Sequence, residues 1–467
     1  MDWIGLVLTL LLCLLAITSL LKKGSHWNNS SANLPPGPRT IPILGNLHRM
    51  DLKRLYRTMI QVKPGIVFAH GENWKVMRRF TLATLRDYGM GRRTIEDKII
   101  EECGVLAKTI ETYAGKSFGV TTIMTAAVSN IIVSILFGKR YVMFPVVMYT
   151  YITTGNKATI TCYDYEDATF LRLLKLMREN VQLSATPVVL IYNVFSMLGL
   201  LLGSHKTVMN NRKELHDFIQ TTFIERLKDL DENDRRSFID SFLVRQREEN
   251  MKMTNGKYFH NENLKALISD LFGAGTETSA NSLLWAILLM MKHPEIQRKV
   301  QEEIAKVIGD LQPRTDHRAR MPYTDAVIRE VHRFADIVPT NVPHATTRDI
   351  TFKGFFIPKG MHIAPLLTSV LHDESQWEKP HEFYPEHFLD SEGKFAKNAA
   401  FLPFSAGWRA CAGENLAKME LVLFFTSLLQ RFTFQPPPGT SKDDLNLTPA
   451  VGFTAPPMLY KTCAVLH

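Results

Sequence analysis

The chain has 467 residues, a formal net charge of +9, 45% hydrophobic and 22% charged residues, which is ordinary globular composition with enough apolar material for a large core. Its basic residues are spread along the chain without a dense tract, which argues against nucleic acid and for an anionic membrane surface or an acidic protein partner. Five scattered cysteines (Cys13, Cys103, Cys162, Cys411, Cys463), with no CxxC spacing, exclude a disulfide framework and a zinc ribbon, and suit a reducing compartment.

Trp3–Leu21 is uncharged and is followed by Lys22-Lys23. A helix of that length reaches about 28 Å, close to the hydrocarbon thickness of a bilayer. Asp2 precedes the run and the lysines follow it, so it reads as a retained anchor (residues 1–22) rather than a cleaved leader, with the rest of the chain in the cytoplasm. Residues 23–47 are a polar tether running into Leu34-Pro35-Pro36-Gly37-Pro38-Arg39, where prolines fix φ and hold their predecessors extended.

From Trp74 onward the apolar spacing is mostly helical. It predicts a longest helix over Glu262–Lys292, a second over Pro294–Ile308, and short β-type runs at Ile350–Ile357 and Met361–Ala364 around Pro358-Lys359-Gly360. Pro187–Leu202 is apolar but short for a membrane span and is interrupted by Asn193, Ser196 and Gly199. Core packing is the plain reading of this stretch. Gly275, inside the longest helix, costs about 1 kcal/mol there and so suggests a local distortion. The architecture that follows is mainly α: a large α-rich domain over residues 48–467 with a small β region.

Near the C-terminus stands Phe404-Ser-Ala-Gly407-Trp408-Arg409-Ala-Cys411-Ala-Gly413, followed by a strongly helical Glu414-Asn-Leu-Ala-Lys-Met-Glu. Cys411 therefore lies at a loop-to-helix junction, where the dipole and free N–H groups favour a thiolate. Gly407 and Gly413 remove side chains where a flat ligand must approach or φ must be positive. Upstream, Gly273-Ala-Gly275-Thr276-Glu277-Thr278 lies on the long helix, Glu330-Val-His-Arg333 places two opposite charges at i,i+3, and Trp74-Lys-Val-Met-Arg78 offers an indole and a guanidinium.

The cysteine loop, with Phe, Gly, Arg, Cys and Gly at fixed spacing, resembles the haem-binding loop of the cytochromes P-450. The other motifs match the same family in order, and the chain resembles the microsomal family 2, with a likeness to subfamily K. The resemblance implies the cytochrome P-450 fold and haem b (iron protoporphyrin IX), held through Cys411 as the axial thiolate ligand. It implies a haem pocket formed by Phe404, Gly407 and Gly413, with propionate partners at Trp74, Arg78, Arg409 and His344. It gives Thr278 the hydroxyl role and Glu277 the proton-supply role, and makes Glu330, Arg333 and His387 a structural charge cluster, His387 standing where the family usually has arginine. For Pro187–Leu202 it implies a region that packs on the substrate cavity and dips into the bilayer surface, which stands open beside the plain core reading. The activity it implies is a monooxygenase of the endoplasmic reticulum membrane. Such an enzyme takes NADPH electrons from a flavin reductase and inserts one atom of O₂ into lipophilic compounds such as arachidonate, steroids or xenobiotics. Two places depart from the pattern: only twenty-six residues separate Leu47 from Trp74, and Tyr141–Cys162 is an unmatched Tyr/Val/Ile/Thr-rich insertion. They leave open a non-catalytic or unstable haem-binding variant; a haem-thiolate isomerase is the other alternative, against which Glu277-Thr278 argues.

Overall fold

The computed structural model describes residues 64–138, 167–186, 204–228, 230–231, 235–251 and 257–467. The expected anchor, the proline hinge, the Tyr141–Cys162 insertion, Pro187–Leu202 and most of the short interval before Trp74 lie outside the described residues. In chain order the elements are α1 (Gly71–Asp87), α2 (Arg93–Glu111), β1 (Phe118–Gly119), α3 (Val120–Phe137), α4 (Ala168–Ser184), α5 (Ser204–Lys228), α6 (Phe238–Met251), α7 (Asn261–Lys292), α8 (Pro294–Val307) and α9 (Pro322–Ala335). There follow β2 (His344–Ala345), β3 (Ile350–Phe352), β4 (Phe355–Ile357), β5 (His362–Ile363), α10 (Leu367–Leu371), α11 (Glu414–Arg431), β6 (Phe432–Gln435) and β7 (Lys461–Leu466).

Two units emerge: the described part of one is Thr340–Pro365, and the other runs over Tyr56–Pro339 and Leu366–His467. The small unit is all β. Its strands β2 and β5 pair antiparallel with His344 opposite Ile363, and β3 and β4 form a hairpin with Ile350 opposite Ile357. The single run predicted over Ile350–Ile357 is thus split, because Lys353 (φ 49°) and Gly354 (φ 82°) both adopt the left-handed region and turn the chain back.

The large unit is organised around α7, whose 32 residues make a rod about 48 Å long. Its C-terminal half, from Ser279 to Met291, is buried without interruption, so amphipathic periodicity is lost there. Helices α3 and α11 pack along it, and α3 is apolar enough for a membrane by composition yet is sunk in this core. The helix assignment of α7 runs unbroken through Gly275. Added β-carbons would stand 2.6 Å from Ile132 Cδ1 at Gly275 and 2.5 Å from Met177 Cε at Gly273. The glycines serve close helix contact with α3 and α4, and their helix-propensity cost is offset by packing.

A three-stranded sheet, ordered β1-β7-β6, closes the other end, with Phe118 opposite Thr462 and Phe432 opposite Leu466. Its β6 edge is covered by side-chain amides from α8. Gln297 accepts from Phe434 N–H at 2.8 Å and donates to the Phe434 carbonyl at 3.0 Å, and Gln301 donates to the Phe432 carbonyl at 3.1 Å. Those amides satisfy backbone groups that an open edge would leave unpaired.

His332 on α9 is buried, with its ring edge-on to Phe404 at 5.4 Å. Burial, then the charges of Arg329, Lys418 and Arg318, pushes its pKa from 6.5 to about 4. Unfolding therefore takes up a proton between these values, so this histidine subtracts stability as pH falls from 6.5 towards 4 and is silent above. Replacing His332 with Gln should remove an acid-dependent penalty of up to about 3 kcal/mol. Urea midpoints of the two proteins should converge at pH 7.5 and separate, with the variant more stable, at pH 5; a gap independent of pH would contradict this.

Candidate functional site

The loop before α11 is built by its backbone. Cys411 N–H donates to the Phe404 carbonyl at 3.0 Å, and Ala410 N–H to the Gly407 carbonyl at 3.1 Å. Ser405 (φ 63°) and Gly407 (φ 74°) take the left-handed conformations that fold the loop on itself. Gly413 does not need positive φ (it is at −96°); its missing side chain instead leaves the flank of the sulfur open, since a β-carbon there would sit 4.0 Å from Cys411 Sγ. Phe404 is held by His332 on one side and by the Lys418 ammonium, 5.6 Å from its ring.

Cys411 is exposed, whereas Cys103 and Cys463 are buried, and burial pushes the Cys103 thiol far up. The Cys411 sulfur is reachable yet crowded by protein, as in a concave site. Burial raises its pKa, and hydrogen bonds from the Gly413 and Glu414 N–H groups and the Arg78 charge pull the other way without prevailing. A bound metal ion would deprotonate it outright.

Two cations converge beside the loop. Arg78 Nη2 donates to the Ala410 carbonyl at 2.6 Å, and Arg409 Nη2 to the Ala69 carbonyl at 2.9 Å. The Arg409 guanidinium lies 3.8 Å from the centre of the Trp74 ring, and that of Arg78 lies 5.8 Å from it. Burial lowers the pKa of both arginines, and Arg78 lowers that of Arg409 further. Among the described residues neither has a carboxylate partner. Two half-buried guanidiniums around one indole, with only carbonyl dipoles to answer them, fit a ligand carrying two carboxylates. The residues present thus suit a haem with its propionates.

On α7, Glu277 Oε1 accepts from Asn281 Nδ2 at 3.1 Å, and Asn281 also donates to Thr454 Oγ1 at 3.2 Å. Burial raises the Glu277 pKa against the Asn281 hydrogen bond and the Arg178 charge. Thr278 Oγ1 donates to the Ala274 carbonyl of its own helix at 2.7 Å. Adjacent helix positions point about 100° apart, so the two side chains face different partners and are not joined directly. His344 stands in β2 of the small unit, with Nδ1 2.7 Å from the Val342 carbonyl. That nitrogen must donate, so in the neutral ring Nε2 is an acceptor and would donate to a carboxylate only as imidazolium.

Glu330, Arg333 and His387 come together in the interior. All five N–H groups of Arg333 are used: Nε and Nη2 grip Glu330 bidentately at 2.8 and 2.7 Å, and the rest reach the carbonyls of Leu371, Pro380 and Glu382. Glu330 also accepts from Tyr384 N–H at 2.9 Å. His387 Nε2 accepts from Lys379 N–H, which leaves Nδ1–H to donate to Glu330 Oε2 at 3.2 Å. A neutral histidine thus stands third without adding a charge, and α9 is tied to the segment that leads towards the cysteine loop.

Sequence reasoning missed the carbonyls of Ala69 and Ala410, which carry no side-chain signature. It also missed Glu420 on α11, a buried carboxyl whose pKa burial raises to about 8, with Oε1 unpartnered and a hydrogen bond to Ser279 on α7. An apolar acid site flanked by polar helix positions leaves no motif.

The Cytochrome P450 family model matches residues 46–464. The chain is 39% identical to Cytochrome P450 2K4 of Oncorhynchus mykiss over 509 aligned positions, covering 97% of this chain and 95% of that one. It is 38% identical to Cytochrome P450 2C5 of Oryctolagus cuniculus, covering 98% and 99%, and 42% identical to Cytochrome P450 2K3 of Oncorhynchus mykiss, covering 86% and 74%.

Truncating Glu330 to Ala should cost about 3–5 kcal/mol, because it strands the Arg333 charge in the interior. Replacing Glu330 and Arg333 together by Ala should cost less than the sum of the losses in Glu330→Ala and Arg333→Ala. Chemical denaturation of the four proteins checks both, and strict additivity would show that the pair is not coupled.

Proposed function

Since the chain belongs to the cytochrome P450 family, whose members are haem-thiolate monooxygenases using reductase-derived NADPH electrons, we propose that Cys411 is the thiolate ligand of its haem and that Trp74, Arg78 and Arg409 hold the propionates. The observation that carries this is the exposed sulfur at the mouth of α11 beside two guanidiniums with no carboxylate of their own among the described residues. The haem, when bound, supplies the activation of dioxygen, and the thiolate favours O–O cleavage.

The chain's own residues then have separate tasks. The loop backbone orients Cys411, and the open flank at Gly413 lets a flat group approach. Arg409, stacked on Trp74, presents its fork to one carboxylate, and Arg78, bonded to the residue before Cys411, ties the other to the loop. Thr278 holds a proton at Oγ1 while its lone pairs remain free to accept; Glu277, protonated more readily than an ordinary carboxylate, is the proton supply, oriented by the Asn281 amide, which donates to it and to Thr454. His344 is a further propionate donor in its charged form.

The substrates are lipophilic: fatty acids such as arachidonate, steroids or foreign compounds. Residues 1–22 anchor the enzyme in the endoplasmic reticulum membrane, where a flavin reductase delivers the electrons, and residues 48–467 form the catalytic domain on the cytoplasmic side. The resemblance to family 2 and the charge-free Trp3–Leu21 run support this setting.

Cys411→Ser should abolish the thiolate-type band of the reduced carbon monoxide complex, while Cys103→Ser and Cys463→Ser should keep it; a band that outlives Cys411 would refute the assignment.

Thr278→Ala should leave haem content and that band intact but divert electrons to peroxide, cutting product per NADPH by about tenfold or more, the scale of a lost proton-transfer group. An unchanged yield would remove Thr278 from the chemistry.

A further inference from the structure

A short strap, Gly65–Ala69, links the long helix to the two-arginine site. Asp270 Oδ2 on α7 accepts from both Ile66 N–H at 2.8 Å and Val67 N–H at 3.0 Å. About two helical turns earlier, Asn263 Oδ1 accepts from Gly65 N–H at 3.1 Å and from Asn73 Nδ2 at 3.4 Å. Its Nδ2 donates to Asn73 Oδ1 at 2.7 Å and to the Tyr258 carbonyl at 2.6 Å. Asn263 is buried, and every hydrogen-bonding position of its amide is occupied. Gly65 (φ 90°) is the residue this wrap requires, because any β-carbon there would collide with the Asp270 carboxyl.

The two contacts bear on the site by two routes. The strap ends at Ala69, whose carbonyl receives Arg409. Asn73, clamped by Asn263, immediately precedes Trp74 in α1, the indole on which Arg409 lies. Both supports of the Arg409 guanidinium are therefore fixed from one face of α7, by side chains that are remote from Cys411 in sequence and touch neither arginine.

We propose that Asn263 and Asp270 are positioning residues for the haem carboxylates: they hold the Gly65–Ala69 strap and the first turn of α1 against α7, and so set where Arg409 presents its fork. This rests on the reading that Arg409 and Trp74 hold a propionate. An amide and a carboxylate fixed in this way give a preorganised cation, and losing them lets Arg409 sample positions that do not meet the ligand.

The test uses the full-length, haem-loaded protein and follows haem transfer to excess apo-globin by absorbance. Asp270→Ala and Asn263→Ala should each speed haem loss about tenfold, as expected for loss of one preorganised charge-assisted contact. Asp270→Asn, which keeps an acceptor oxygen for the strap, should stay within about threefold of the parent. In an Arg409→Ala background the same substitutions should change the rate by less than about twofold, since their effect passes through Arg409. Equal acceleration with and without Arg409, or no acceleration at all, overturns the proposal. If an alanine variant does not load haem, Asn263→Asp decides: it keeps the acceptor for Gly65 but loses the donors to Asn73 and Tyr258, and a loss rate equal to the parent's would overturn the proposal. A parent protein that binds haem without a thiolate-type band would strike the functional reading itself, an outcome visible before any variant is made.

Discussion

Placing two guanidinium groups against one indole, with no described carboxylate to share, is the constraint around which the rest of the molecule is arranged. A buried cation is costly unless paired, and here the fold supplies only carbonyl dipoles at Ala69 and Ala410. Burial depresses both arginine pKa values, which measures the same cost. A dianionic ligand bound there, as proposed for the haem carboxylates, would remove the cost and so link binding energy to folding energy at this point. The cation over Trp74 is not a surface ornament but a stored electrostatic demand.

Meeting that demand requires rigidity, and three separate devices provide it. The cysteine loop is folded on itself by Cys411 N–H to the Phe404 carbonyl, and Phe404 is wedged against His332. The meander that leads into the loop is anchored by Arg333, whose every donor is spent on Glu330 or on a backbone carbonyl. The approach to α1 is strapped to α7 by Asp270 and Asn263. In the second and third devices the buried groups Arg333 and Asn263 have every hydrogen-bonding position engaged, which is the condition under which such groups specify geometry rather than weaken the core.

What the sequence disclosed follows the same division. Motifs made of side chains at fixed spacing were legible: Trp74 with Arg78 and Glu330 with Arg333 each meet as their spacing suggested, and Arg409 of the cysteine loop comes to lie on Trp74. The two long helices were legible because their apolar runs are long and α8 begins with Pro294 at its first turn. A propensity scale gave the cost of Gly275 but could not see Ile132 filling the space beside it. The sheet of β1, β7 and β6 left little trace, since its strands are short, distant in sequence and completed by Gln297 and Gln301 from a helix. The Ala69 carbonyl was invisible for a simpler reason: a backbone acceptor looks the same in every residue.

Glu420 shows how far this logic extends. It lies on α11, nine residues beyond Cys411, and bonds to Ser279 on α7, the residue after Thr278. Its folded pKa of about 8 against an ordinary 4.5 means the folded state keeps the acid neutral, and that it subtracts stability as pH rises from 4.5 towards 8. An apolar residue of similar size would carry no such cost, and one oxygen has no partner at all. The helix that follows the thiol's loop and the helix that carries the hydroxyl thus have between them a group that weakens the fold at neutral pH. Together with the unpaired arginines, it places the sacrifices of stability on the elements that bear the site, while the fully satisfied Arg333 cluster and the α3–α7 packing supply the compensating order elsewhere. That is the distribution expected where a preorganised site is held by a scaffold more stable than itself.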